Sequence, residues 1–206
     1  MPRKVLTAGD LEGVADGGEL AVEADALVTP LAREEAQRRG ITLRAVEAAA
    51  GGAPGGRIVA LGADHGGFEL KEQLKAYLKE WGYTALDLGT SSTAAVDYPD
   101  FAEAVGNAVA RGEAWRGVVI DSAGIGSAIA ANKVPGVRAA LCYDRATARN
   151  SREHNNANLL SLGARLIPAE TAREILAVWL ETPFAGGRHQ KRVDKIRGIE
   201  ERHRKT

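Results

Sequence analysis

The sequence predicts an α/β fold, a three-layer arrangement on a parallel sheet, preceded by a small N-terminal appendage. Three observations carry this. From Arg57 onward, short apolar runs alternate with segments of helical period. A run of small residues, Ala48-Ala49-Ala50-Gly51-Gly52-Ala53-Pro54-Gly55-Gly56, has nothing to bury and separates that region from what precedes it. The 24 glycines, set against only 5% aromatic residues, suit an aliphatic core with many tight turns. Strands that alternate with helices need right-handed crossovers, and these lay helices on both faces of a parallel sheet. The expected organisation is an extension over 1–47, a linker over 48–56 and the main domain over 57–206.

Each element follows from its own signals. In the extension, Glu19 to Val28 alternates weakly like a strand. Pro30 to Gly40 reads as a helix, with Thr29 as N-cap, Pro30 in the first turn and Gly40 as the stop. In the main domain Arg57 to Ala63 is an apolar strand, and Leu70, Leu74, Tyr77, Leu78 and Trp81 form a helical stripe ended by Gly82. Strands are then expected at Tyr83 to Leu88, Gly117 to Ile120, Val137 to Cys142 and Asn158 to Leu162. Helices are expected around Phe101, Val105 and Val109, at Ile125 to Asn132, at Arg145 to Glu153 and at Thr171 to Leu180, with a charged helix from Arg188 to Arg204 closing the chain.

Composition narrows the function. The 27 basic residues balance the 27 acidic ones, so no global charge favours nucleic acid or an anionic membrane, and any anionic ligand must be small and met locally. Cys142 is the sole cysteine, which excludes an intrachain disulfide and a multi-cysteine zinc site. No stretch approaches a membrane span and the N-terminus leads into no apolar signal core, so the protein is expected in the cytoplasm.

In an open parallel sheet, ligands bind outside the carboxyl ends of the strands. Four polar clusters are expected there: Asp64-His65-Gly66-Gly67, the loop from Gly89 to Asp97-Tyr98-Pro99, Asp121-Ser122-Ala123-Gly124-Ile125-Gly126-Ser127, and His154-Asn155-Asn156. Each alone could be a turn or a cap. Gly124 and Gly126 opening a helix have the form of an anion cradle, since glycines admit close approach and the helix start offers N–H groups. The pattern also half-matches a dinucleotide fingerprint, with Asp144 about 20 residues on, but Ile129 fills the third glycine's place and no cofactor is expected. No tight pair of ligands on one element marks a metal site. Arg188 and Arg192, four apart on the last helix, could grip one phosphate, and a solvated basic helix end explains them equally well.

Five motifs in order then carry a resemblance: Gly62-Ala63-Asp64-His65-Gly66-Gly67-Phe68-Glu69-Leu70-Lys71; Val96-Asp97-Tyr98-Pro99-Asp100; Gly124-Ile125-Gly126 with Ile129-Ala130-Ala131-Asn132-Lys133; Arg152-Glu153-His154-Asn155-Asn156-Ala157-Asn158; and Gly186-Gly187-Arg188-His189-Gln190. Over Arg57 to Glu200 the chain resembles the family of ribose-5-phosphate isomerase B and the galactose-6-phosphate isomerase subunits. The resemblance implies a Rossmann-like homodimer or tetramer with sites between subunits, no metal, and interconversion of aldose and ketose phosphates through an enediol. It implies that His154 helps open the sugar ring, assisted by Asp64 or Asp97, and that Asn155 binds a hydroxyl. His65, Arg188 and Arg192, with Arg138, would hold phosphate. Backbone N–H groups from Gly124 to Ser127 would face the enediolate, with Tyr98 and Ser122 lining the same pocket.

One departure stands out. The ribose enzymes usually end the third strand Cys-Gly-Thr-Gly-x-Gly, the cysteine being the proton-transfer base, and another branch carries a glutamate just after the last glycine. Here Asp121 and Ser127 occupy those places, an arrangement that resembles one galactose-6-phosphate isomerase subunit, although that subunit lacks the Asp64-His65 pair. Two expectations follow: Asp121 replaces the thiolate as base, or the chain binds sugar phosphate without turning it over. In the extension, Ala26-Leu27-Val28-Thr29-Pro30-Leu31-Ala32-Arg33 resembles short segments of bacterial microcompartment proteins, which implies docking to a shell or a neighbouring enzyme.

Overall fold

A computed structural model describes residues 5–6, 8–11, 13–23, 27–46 and 57–204. The chain divides into two compact units, Met1–Pro54 and Gly55–Thr206. The expected linker over 48–56 lies outside the described residues.

The first unit contains β1 (Val5–Leu6), a 3-10 turn (Ala8–Leu11), β2 (Glu19–Glu23), β3 (Leu27–Val28), α1 (Pro30–Arg38) and β4 (Thr42–Val46). The stretch expected as one strand from Glu19 to Val28 is therefore two, and they belong to different pairs: β1 pairs β3 and β2 pairs β4, both parallel. The predicted cap is in place, with Thr29 Oγ1 accepting from Ala32 N at 3.3 Å. Leu11, Ala32, Ala36 and Ile41 form a small core. The Arg39 guanidinium ties the entry loop to the end of α1, donating to Leu11 O at 2.9 Å and to Asp16 Oδ1 at 2.6 Å.

The second unit runs β5 (Ile58–Ala63), α2 (Phe68–Glu80), β6 (Thr84–Asp87), α3 (Tyr98–Ala110), β7 (Arg116–Asp121), α4 (Ile125–Ala131), β8 (Ala139–Leu141), α5 (Arg145–Asn155), β9 (Leu159–Gly163), α6 (Ala169–Glu181), a 3-10 turn (Gly187–His189) and α7 (Gln190–His203). The five strands form one all-parallel sheet in the order β6-β5-β7-β9-β8. Leu70, Leu74 and Leu78 of α2 and Ile175, Leu176 and Trp179 of α6 pack on one face. Ala102 and Val105 of α3 and Ala131 of α4 pack on the other. Both faces are covered, which is why the strands read as apolar runs rather than as alternations.

Two consequences of this topology position the chemistry. After β5 the chain goes to one side for β6 and to the other for β7, so the crevice opens where β5 and β7 end. The helices that follow the strands return to the amino edge of the sheet, so the last residues of α5 lie there. His154-Asn155-Asn156 therefore stands at the opposite edge from the other three clusters, a correction to the expectation that all four share one end. Gly186 and Gly187 adopt positive φ, and α7 starts only at Gln190. Arg188 thus sits in the 3-10 turn that runs directly into the helix carrying Arg192.

Candidate functional site

At the carboxyl edge, β5 delivers Asp64, only 6% exposed. Its Oδ1 accepts from Gly66 N at 2.9 Å and Gly67 N at 3.0 Å, while Oδ2 takes no hydrogen bond among the described residues. The two glycines are required because the turn lies against β7: a Cβ on Gly66 would stand 2.4 Å from Ser122 Oγ, and one on Gly67 2.4 Å from Ile120 O. His65 Nδ1 lies 3.2 Å from Val96 O and 3.3 Å from Val96 N, which ties the first cluster to the second. Asp97 follows, exposed at the start of α3 and capping nothing with its side chain. The Tyr98 ring closes over Gly126, where a Cβ would fall 2.5 Å from ring carbon Cζ.

Asp121 ends β7 and is 5% exposed. Its Oδ1 accepts from Ala123 N at 2.7 Å and from Gly124 N, and its Oδ2 accepts from Ser127 N at 2.9 Å and Ser127 Oγ at 2.6 Å. A carboxylate offers about four acceptor sites, and here the turn and the start of α4 take all of them. The group expected as a base is therefore built in as a clamp on the Gly124 loop. Ser127, itself buried, turns its hydroxyl to Asp121 and not to the crevice. Of the N–H groups expected to face an enediolate, those of Gly124 and Ser127 go to Asp121, which leaves Ile125 and Gly126 outside that network. Gly124 adopts φ +78°, and a Cβ there would stand 2.5 Å from Leu141 Cδ1, so only glycine serves. Cys142 follows β8; burial pushes its thiol up to about 11, which leaves it no part as a base.

One residue of this edge escaped the sequence analysis. Arg165 lines a cavity of about 440 Å³ with His65, Glu69, Gln73 and Thr93. Its N–H donates to Ser122 O at 3.0 Å. The sequence carries the signal, since Arg165 stands just after the fifth strand, where the loop at a carboxyl end lines the crevice.

At the amino edge, the imidazoles of His154 and His189 stack with centroids 4.1 Å apart and planes 6° from parallel. His154 Nδ1 lies 2.9 Å from Asn150 Nδ2, and Arg188 Nε lies 3.4 Å from His189 Nε2. Lost hydration against these neighbours, followed by the positive charge of His154, Arg188 and Arg192, holds the His189 imidazole below the usual histidine value. Asn155 and Arg138 line a cavity of about 830 Å³ beside α7, with Ile196, Arg197 and His203. Arg138 Nε donates to Asn156 O at 3.0 Å, and burial, then the nearby Arg197 charge, pushes its guanidinium down.

The expected residues thus fall into two groups. Asp64, His65, Asp97, Tyr98, Asp121, Ser122, Gly124, Gly126 and Ser127 gather at one edge. Arg138, His154, Asn155, Arg188 and Arg192 belong to the other. Among the described residues no three His, Cys, Asp or Glu side chains converge as metal ligands.

A family model described as Ribose/Galactose Isomerase matches residues 59–196. Ribose-5-phosphate isomerase B of Escherichia coli is 44% identical over 144 residues, spanning 70% of this chain and 97% of that protein. D-erythrulose-4-phosphate isomerase of Pectobacterium atrosepticum is 40% identical over 139 residues, 67% of this chain and 91% of that one. Among solved structures, ribose-5-phosphate isomerase B of Clostridium thermocellum superposes with a TM-score of 0.70 at 49% identity, covering 71% of this chain and 99% of that one.

Proposed function

The chain belongs to the ribose/galactose isomerase family, and on that premise we propose that it interconverts an aldose phosphate and its ketose phosphate, ribose 5-phosphate and ribulose 5-phosphate first. The observation that carries this reading is the carboxyl-edge crevice, where a buried carboxylate with one unclaimed oxygen stands beside a turn that leaves backbone N–H groups for a developing oxyanion.

Because Asp121 is fully engaged, we assign proton transfer to Asp64. Its Oδ2 takes the proton from C2 of the open-chain aldehyde, and the carbonyl oxygen becomes the enediolate oxygen, met by the Ile125 and Gly126 N–H groups. The proton returns to C1 as the O2 hydroxyl proton passes to O1, which leaves the ketose. Ring opening before this step falls to His154 with Asp97 as its carboxylate partner, and Asn155 binds a hydroxyl.

These groups occupy opposite edges within one chain, so the active unit is two copies, with the carboxyl edge of one facing the amino edge of the other. His65 and Arg165 from the first and Arg188 and Arg192 from the second then grip the phosphate. The Met1–Pro54 unit we assign to docking in a bacterial microcompartment of the cytoplasm, supported by the segment from Ala26 to Arg33. A fluorescent protein carrying residues 1–56 should gather with co-expressed shell proteins, and diffuse signal would remove that role.

Purified protein in EDTA, assayed against ribose 5-phosphate, erythrulose 4-phosphate, allose 6-phosphate and galactose 6-phosphate, tests the activity. Fastest turnover is expected with ribose 5-phosphate. Tight binding of one sugar phosphate with turnover of none would leave a binding subunit instead.

A further inference from the structure

Arg116 and Arg152 are 5% and 6% exposed, and among the described residues no carboxylate pairs with either. Buried guanidiniums without a counter-charge are costly, and apolar side chains of that size would fill the space more cheaply. Burial, then the neighbouring Arg152, pushes the Arg116 guanidinium down, which marks how little compensates it. The two charges must hold something that an apolar residue could not.

Their donors show what that is. The Arg116 guanidinium lies 4.0 Å from the Trp115 ring centroid and 4.9 Å from that of Trp179. It donates to the carbonyls of Trp179, Leu180 and Thr182. Arg152, two residues before His154, donates to the same Thr182 O at 3.3 Å, to Asn156 Oδ1 at 3.0 Å and to Ala157 O. These carbonyls include the orphan acceptors at the negative end of α6 and the chain just beyond it. Ala185 N adds a bond to Glu153 O at 3.0 Å. Past Thr182 the chain has no regular structure until the turn at Gly187, and Gly186 and Gly187 at positive φ give it little rigidity of its own. Arg188 and His189 follow directly.

We propose that Arg116 and Arg152 form a clamp that positions the segment from Thr182 to His189 against the end of α5. They set the affinity for the phosphate without touching it. The clamp rests on the assignment of Arg188 and Arg192 to phosphate binding, and its local effect can be measured apart from turnover.

In Arg116→Met the apolar stem stays and the donors go. The KM for ribose 5-phosphate should rise about tenfold while kcat stays within about threefold. The His189 ring resonances should shift as the stack on His154 loosens. Arg116→Lys, which keeps a charge that reaches carbonyls, should return KM to within about threefold of the native value. A folded Arg116→Met protein with native KM and native His189 resonances would overturn the clamp. If Arg116→Met does not fold, Arg116→Gln and Arg152→Gln, which remove the charge and shorten the donor, are read by the same two measurements, and unmoved resonances with unmoved KM in both would overturn it equally. A native protein that turns over no sugar phosphate removes the isomerase assignment, while the His189 resonances still decide the clamp.

Discussion

At the carboxyl edge of the sheet the two buried carboxylates are held by their own turns, whereas at the amino edge the segment bearing Arg188 and His189 is held by residues remote in the chain. Asp64 is bonded to N–H groups two and three residues on, and Asp121 to groups two to six residues on. The segment bearing Arg188 and His189 depends on Arg152, thirty residues from Thr182, and on Arg116, more than sixty residues away. Local turns preorganise a reacting centre against small displacements. Remote tethers make the amino edge sensitive to anything that shifts α5 against α6. Chemistry should therefore fail with changes at the first edge, and affinity with changes at the second.

The largest effect expected is at Asp64. Asp64→Asn keeps the bonds from Gly66 and Gly67 and removes the proton acceptor, so kcat should fall roughly 100-fold or more while inorganic phosphate still binds. Unchanged kcat would return the proton to another group. At the other edge, Arg188→Ala and Arg192→Ala should each raise KM about tenfold with kcat nearly constant. A double variant with native affinity would break the division of labour between the edges.

Asp121→Asn sharpens the carboxyl edge. The amide would turn a donor toward N–H and O–H groups that already donate, so stability should fall by about 2 kcal/mol in chemical denaturation, with kcat reduced less than in Asp64→Asn. A stable Asp121→Asn protein with kcat down as far as in the Asp64 variant would restore Asp121 as the base.

The smallest effect concerns pH. His189 is held below its ordinary value of about 6.5 in the folded chain. The unfolded chain therefore binds its proton first, and the stability linked to His189 is complete above about pH 6.5 and is lost as pH falls through the folded value. Adding phosphate supplies the missing negative charge and should raise the His189 value in a proton-resonance titration. A titration unmoved by phosphate would detach His189 from the amino-edge site.

What was legible in the sequence follows the same division. The stripe of Leu70, Leu74 and Leu78, the Thr29 cap and the need for glycine at 124 are short-range facts, and the structure bears them out. The division of Glu19 to Val28 into two strands depends on which partner each half pairs with, and periodicity does not carry that. The motif around His154 says nothing of helix direction, so it does not tell the two edges apart; the crossover from β8 through α5 is what puts His154 at the amino edge. The spacing of Arg188 and Arg192 predicts one continuous helix, whereas the helix begins only at Gln190, after a 3-10 turn preceded by positive φ at Gly186. The engagement of Asp121 was nearly readable, since an acid three residues before the first glycine of a helix start is a capping pattern as much as a base.

The central claim is that a working site takes its carboxyl edge from one copy and its amino edge from another. Asp64→Asn and His154→Ala, each nearly inactive alone, should be co-expressed and the mixed assemblies purified. Each purified mixed dimer keeps one of its two sites intact, so about half of native specific activity should return. Activity no higher than that of the separate variants, in assemblies proven to be mixed, would contradict the claim and place the whole site within a single chain.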